Sequence, residues 1–369
     1  MILRARFILP ISSPPIENGA IVIVGNKIRS VGAWKNLRPP ANEKTLDLGE
    51  VILLPGLINA HCHLDYTDMA GQLPPPKKFT DWIGSITAAK TGWSYSDYAH
   101  SWLHGAHQLL KSGTTTVADI EAMPDLLPEV WDATPLRIFS FLEMTGIRAR
   151  RDPKEILRET VEKIAALSHA RNRASLSPHA PYSTLPELLR LTGKMARKRK
   201  WRVTTHVAES DQEFEMFQHA RGDATLLAKN KTHVVHCPRS HAYFKHPPFQ
   251  RQRLANAGVN LCLGTDSLAT TNKNGQQKPE LDLFAEMRAL AEKEPSVSAQ
   301  EILQMATVNG ARALGLAGKI GELAAGALAD VIAIPFAGKA TKIYESVLQQ
   351  TGNVKSSMIE GRWAIPPQI

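Results

Sequence analysis

Two histidines, His61 and His63, flank a cysteine at the end of an apolar run. In a strand, residues i and i+2 point to one face, so both imidazoles project together. Neutral imidazole is a common nitrogen ligand for zinc and iron. Such a pair also arises as two polar residues satisfied at a strand end, so it does not decide the matter alone. Other polar groups occupy similar positions. His206 closes the run Val203-Thr204-Thr205, Glu209 follows three residues later, and Asp266 stands just past Leu261-Cys262-Leu263-Gly264-Thr265. His61, His63, His206 and Asp266 are thus four candidate ligands on three strand ends, a coincidence that packing explains poorly.

The elements that must position them alternate in kind. Short apolar strands are predicted over 51–54 running on to 61, and over 114–120, 136–143, 174–177, 201–206, 232–237 and 259–266. Amphipathic helices fall between them over 96–111, 153–170, 185–198 and 279–292. That alternation is the pattern of a parallel sheet or barrel. In a (β/α)8 TIM-type barrel the C-terminal strand ends form one rim, where catalytic groups gather.

Both ends of the chain read differently. Residues 20–24, the turn signal Gly25-Asn26 and residues 27–31 form a hairpin pattern. Strand texture returns at 329–334 and 354–359. The prediction is a small composite β-sandwich domain from 1–55 and 315–369, attached to a barrel catalytic domain over 56–314.

The strand count falls one short of the eight that a closed barrel needs. His206 and His236 are 30 positions apart. A βαβ unit takes about 30 residues, so that interval holds one crossover and not two. The fold class is therefore α/β, a (β/α)8 barrel lacking about one strand–helix unit near residue 223.

Bulk properties narrow the classes. The chain has 369 residues, 43% hydrophobic and 21% charged, which suits a packed globule. The net charge is +9, but the densest basic run, Arg197-Lys198-Arg199-Lys200, closes a helical pattern where cations suit the helix dipole. No basic patch with interleaved aromatics is visible, so nucleic acid is not an expected partner. No apolar run reaches the roughly 18 residues of a membrane span. The start reads as mature protein rather than a signal peptide. Three cysteines point to a reducing, cytoplasmic setting.

The segments PGLINAHCHLD, THVAES, VVHCPRSH and LCLGTDS, with the closing stretch NGARALGLAGKIGELAAGALADVIAI, resemble the amidohydrolase superfamily. The resemblance is to its cytosine-deaminase-like and triazine-hydrolase-like branch, and it runs over nearly the whole chain. It implies a metal held by His61, His63, His206 and Asp266, with Glu209 shuttling protons. Three imidazoles and one carboxylate suit Zn²⁺, with Fe²⁺ the alternative, and leave a position for water. Binuclear relatives offer a bridging lysine after the fourth strand. Here Ser177-Pro178-His179 stands there, which implies one metal. The implied activity is hydrolysis of a carbon–nitrogen bond other than a peptide, as deamination of an aminated nitrogen heterocycle or nucleoside-like small molecule. Dechlorination or amide hydrolysis is the alternative within the superfamily. For substrate contacts, His179 lies on the same rim, Trp82 could stack over the pocket or fill the core, and Arg148 follows the third strand.

The resemblance also exposes the gap. Relatives carry a further strand, ending in a histidine that polarises the attacking water, between the segments matched here by THVAES and VVHCPRSH. Its absence leaves three outcomes. His236 takes over that role, or Glu209 and Asp266 act without it, or the chain binds metal without turnover. Strand edges at the gap would be open, and a homodimer is one arrangement that would cover them.

Overall fold

The computed structural model describes residues 1–37, 43–146, 151–210, 213–215, 224–273 and 278–368. Arg148 lies outside the described residues.

Strands from both ends of the chain share one sheet. β1 (Ile2–Ile8), β2 (Ile16–Val24), β3 (Lys27–Ala33), β4 (Thr45–Asp47) and β5 (Val51–Pro55) precede the parallel strands. Those are β6 (Leu57–Cys62), β7 (Thr114–Glu121), β8 (Arg137–Met144), β9 (Arg173–Pro178), β10 (His233–His236) and β11 (Asn260–Leu263). β12 (Val331–Pro335), β13 (Ser356–Ile359) and β14 (Arg362–Ile365) close the chain. The first sheet runs β14-β13-β12-β5-β1-β2-β3, with β4 also on β1. β5 and β12 pair antiparallel, Leu53 opposite Ala333, and this seam joins the two ends of the chain. Leu3, Ile8, Ile21, Leu53, Val331 and Met358 are buried together along it. The β2–β3 hairpin turns at Gly25, whose φ of 60° suits a residue without a Cβ.

The parallel strands form two ladders, β6-β7-β8-β9 and β10-β11. All eight residues of β7 are buried, as expected of a parallel strand covered on both faces. The helix Tyr95–Lys111 starts at a capping box between Ser94 and Asp97 and buries Trp102 and Leu109. The helices Pro153–Ala166, Pro186–Arg199 and Leu283–Lys293 fall where the apolar periodicity placed them. Arg197 to Lys200 are exposed at a helix end.

Two single bridges extend the row. Leu176 pairs with Val203, and Cys62 pairs with Asp266. The lateral order is therefore Val203, β9, β8, β7, β6, Asp266 with β11, then β10. The predicted strand over 201–206 is a correction: it makes one bridge rather than a ladder. Among the described residues its strand-type backbone bonds go to the β9 side, with Thr204 N donating to Leu176 O at 3.2 Å and His206 N to His179 O at 2.7 Å, while Trp201 N donates to Ala196 O of the preceding helix at 3.0 Å. No strand pairs with its other side among the described residues, so nothing there holds it extended.

The junction of β11 with β6 is close. Gly264 N donates to His236 O at 3.0 Å, and Thr265 N and Asp266 N both donate to His61 O at 3.0 and 3.1 Å. A Cβ on Gly264 would stand 2.7 Å from His61 O and 2.8 Å from His61 Cβ. We expect Gly264→Ala to push the two strands apart and lower stability by about 1–3 kcal/mol, the usual cost of overpacking. A urea midpoint equal to that of the native chain would contradict this.

Candidate active site

His61 and His63 leave the end of β6, and Asp266 meets them from beyond β11. Asn59 sets the spacing. Its amide donates to Thr265 Oγ1 at 2.8 Å, and its Oδ1 accepts from Thr265 N at 3.2 Å and from His61 N at 3.4 Å. Asp119 holds the next turn by accepting from Leu64 N and Trp102 Nε1, each at 3.1 Å. Asp266 has a φ of 54°, a left-handed conformation that aspartate tolerates better than most residues.

Four donor groups converge. His63 Nε2 lies 3.1 Å from His206 Nε2, and Asp266 Oδ1 lies 3.5 Å from His61 Nε2 and 3.6 Å from His63 Nε2. Nitrogen and oxygen ligands about 2 Å from a common centre stand roughly 3.3 Å apart in a tetrahedral set. The observed separations bracket that edge length. Ring nitrogens and a carboxylate oxygen at these separations also suit a shared divalent cation.

Electrostatics agree. Burial lowers the pKa of His61 and takes that of His63 well below the ordinary value, so both rings are neutral. Burial works to raise the Asp266 carboxyl, but His61 and His63 hold it well below the usual carboxylate range. Burial also opposes protonation of His206, yet Glu209, Glu143 and Asp266 keep its pKa raised. His206 Nδ1 donates to His179 O at 2.9 Å, which leaves Nε2 facing His63 Nε2.

Asp266 has a second set of partners. Ser240 Oγ donates to its Oδ2 at 2.5 Å and Thr270 Oγ1 at 3.2 Å. These bonds fix the carboxylate so that Oδ1 faces the histidines. We expect Ser240→Ala to weaken divalent-metal affinity by about 10–100-fold, the range for partners that orient a ligand. Zinc competition titration with a chromophoric chelator measures it, and an unchanged affinity would count against this role.

Glu209 is half-buried beside this cluster. Tyr182 O–H donates to its Oε2 at 2.8 Å. Burial, above all, pushes its carboxyl up to about 7. His179 stands with its ring 4.8 Å from that of His206, its Nδ1 2.6 Å from Ser183 Oγ and its Nε2 3.7 Å from Glu143 Oε1. Burial brings its pKa down to about 4, so its ring is neutral. Trp82 stacks on Phe79 and meets Phe244 edge-on, and Phe79 in turn contacts Tyr182. It is therefore one ring removed from the partner of Glu209, and it also packs on the main core.

His236 is placed differently. It is buried flat on Phe249, with ring centroids 4.1 Å apart, and edge-on to His241. Among the described residues it is in neither group of groups spaced to share a cation, which are His61, His63, His206 and Glu143, His179, His206. Asn59, Ser240, Thr270, Tyr182 and Glu143 are residues that the sequence reading did not single out. Asn59 carried one signal, since it precedes His61 by two positions and so shares its strand face.

The model of the amidohydrolase family matches residues 52–228 and 219–364. The chain belongs to the amidohydrolase family. The two matched pieces of this amidohydrolase overlap over residues 219–228. It is 28% identical to the 5-methylthioadenosine/S-adenosylhomocysteine deaminase of Syntrophobacter fumaroxidans, over 87% of this chain and 80% of that protein. Its fold matches that of a zinc-bound adenosine deaminase from Xanthomonas campestris, with a TM-score of 0.86 at 21% identity, covering 98% of this chain and 92% of the other. It equally matches the atrazine chlorohydrolase TrzN of Arthrobacter aurescens, with a TM-score of 0.86 at 19% identity, covering 98% and 94%. The amidohydrolase is thus a hydrolase of α/β fold, and its histidines His61, His63 and His206 are spaced to share a cation. No described helix is long and apolar enough to cross a membrane.

Proposed function

We propose that this amidohydrolase removes the amino group from an adenosine-like nucleoside. The observation that carries the reading is the group His61, His63 and His206, with Asp266 against the first two and a proton-holding Glu209 beside them, in a chain similar to nucleoside deaminases. In this reading His61, His63, His206 and Asp266 hold a single Zn²⁺, with Fe²⁺ as the alternative. Such an ion supplies Lewis acidity and lowers the pKa of water to about 7.

The chain's own groups then divide the proton work. Asp266 accepts the proton of the attacking water at a carboxylate held by Ser240 and Thr270. Glu209 carries a proton near neutral pH and gives it to the ring nitrogen; the proton taken up by Asp266 passes to the departing amine, and the remaining hydroxyl proton returns to Glu209 as the carbonyl forms. Tyr182 holds the Glu209 carboxyl in place. His179, neutral and fixed by Ser183, offers a ring nitrogen to the substrate, and Trp82 closes the aromatic wall. His236 is set against Phe249, so we assign the water's proton to Asp266 alone.

We further propose that one strand–helix unit near residue 223 is missing from the barrel, whose eight-stranded form is otherwise followed. The overlapping match at 219–228 supports this, as does the unpaired side of 201–206. The terminal segments 1–55 and 315–369 then form the small β domain, and 56–314 the catalytic one.

The test is ammonia release from a panel of adenosine-type nucleosides by metal-reconstituted protein. Ammonia from at least one member is the expected result. Chloride from a chlorinated triazine with no ammonia from any nucleoside would replace this reading with dechlorination. Bound metal with no release of either would mean that the missing unit has cost the enzyme its turnover.

A further inference from the structure

One cavity among the described residues lies at the opposite end of the strands from the catalytic cluster. Its volume is about 630 Å³, ample for a small organic ligand. His233 opens β10 and Asn260 opens β11, and both line it. His61 and Asp266, by contrast, stand at or beyond strand ends. The cavity is therefore separate from the active site.

Its charge is one-sided. Arg202, Lys231, Arg251 and Arg312 face a single carboxylate, Glu301, with His233 beside them. Glu301 is already engaged, since its Oε2 accepts from Ser298 N at 3.1 Å and Ser298 Oγ at 2.7 Å. Arg251 is matched by Glu294 at 2.7 Å. Arg202, Lys231 and Arg312 remain without a carboxylate partner among the described residues. All three are exposed at the cavity, and like charges gathered at one cleft raise the local concentration of anions.

The cations are also positioned. Residue 315 is a glycine, and a Cβ there would stand 2.1 Å from an Arg202 Nη. Arg312 Nη1 donates to Asn260 Oδ1 at 2.9 Å, and Asn260 Nδ2 lies 3.0 Å from His233 Nδ1. With that amide donating, neutral His233 carries its proton on Nε2 and presents it as a donor. Burial lowers the pKa of His233, and the nearby charges of Arg202 and Arg312 lower it further.

We infer that this cavity is an anion site for a phosphate group, free or as a phosphomonoester. Two guanidinium forks and an ammonium supply the several N–H donors and positive charges that a phosphate dianion takes. A monocarboxylate would leave most of that charge unmatched.

Isothermal titration of the full-length, metal-loaded protein tests it, with inorganic phosphate and ribose 5-phosphate as separate probes. Chloride holds the ionic strength constant. We expect saturable binding of at least one probe, retained in His61→Ala, which removes a ligand of the catalytic metal. Tighter inorganic phosphate identifies a free-phosphate site, and tighter ribose 5-phosphate a phosphomonoester site. Arg202→Gln combined with Arg312→Gln should weaken binding by about tenfold or more, with the rate of ammonia release unchanged. Lys231→Gln, which disturbs no side-chain hydrogen bond among the described residues, should weaken it too. The inference is overturned if neither probe binds to the native protein, if binding vanishes in His61→Ala, or if Lys231→Gln and the folded double variant bind as the native protein does.

Discussion

Glu209→Gln should lower kcat for nucleoside deamination by about 10²–10⁴-fold, the usual contribution of a positioned general acid–base group. Metal content should not change, because Glu209 is not among the ligands. The amide keeps the hydrogen bond from Tyr182 but cannot carry a transferable proton. The pH profile gives a second readout. Burial raises the Glu209 carboxyl from its ordinary value to about 7. Its acid form is present below that value and is lost above it. The kcat/KM of the native enzyme should therefore decline on the alkaline side of about pH 7, and the residual rate of the Gln variant should lack that limb. A variant with the native rate, or with the same alkaline limb, would remove Glu209 from the mechanism.

Asp266→Asn should have the other large effect. In the proposed site Asp266 is the anionic ligand and the base assigned to water. An amide can still offer a carbonyl oxygen to a metal, so some binding survives at high metal concentration. It cannot accept the proton. The expected result is a fall in kcat on the order of 10³-fold or more that excess zinc does not restore. The contrast with Ser240→Ala is informative. That variant should regain most of its rate once saturated with metal, because its carboxylate is intact. Full rescue of Asp266→Asn by zinc would mean that Asp266 is a ligand and nothing else.

The chemistry was legible in the sequence where residue type and backbone period act together. His61 and His63 sit two apart on a strand, and their common face follows from that spacing alone. Asp266 could be placed because an apolar run ends just before it. The groups that orient these residues were not legible, since their contacts span the chain. Ser240 meets Asp266 across 26 positions, Tyr182 meets Glu209 across 27, and Asn59 meets Thr265 across 206. No local period announces such pairs, which exist only once the strands are side by side. The segment 201–206 shows the opposite limit. Its composition is that of a strand, but a ladder needs neighbours, and it has one on a single side. His236 is a similar case, where motif position suggested a task and packing on Phe249 settles its surroundings.

The proposed strand deficit also shapes what the site must do. The proposed ligands come from β6, from the segment after Val203 and from beyond β11, and none comes from the interval near residue 223. Three of the four are tied to one another through β6 and its neighbours, by His61 O and Asn59. His206 is tied through His179 on the β9 side. The rim can therefore close around an ion from both sides of the gap without support from across it.

Metal content per chain tests that claim most directly. It is measured by elemental mass spectrometry on protein purified without chelator, with His61→Ala alongside. The account predicts about one zinc or iron per native chain, and its loss in the variant. Folded native protein with little or no metal, or a variant that keeps the native amount, would contradict it.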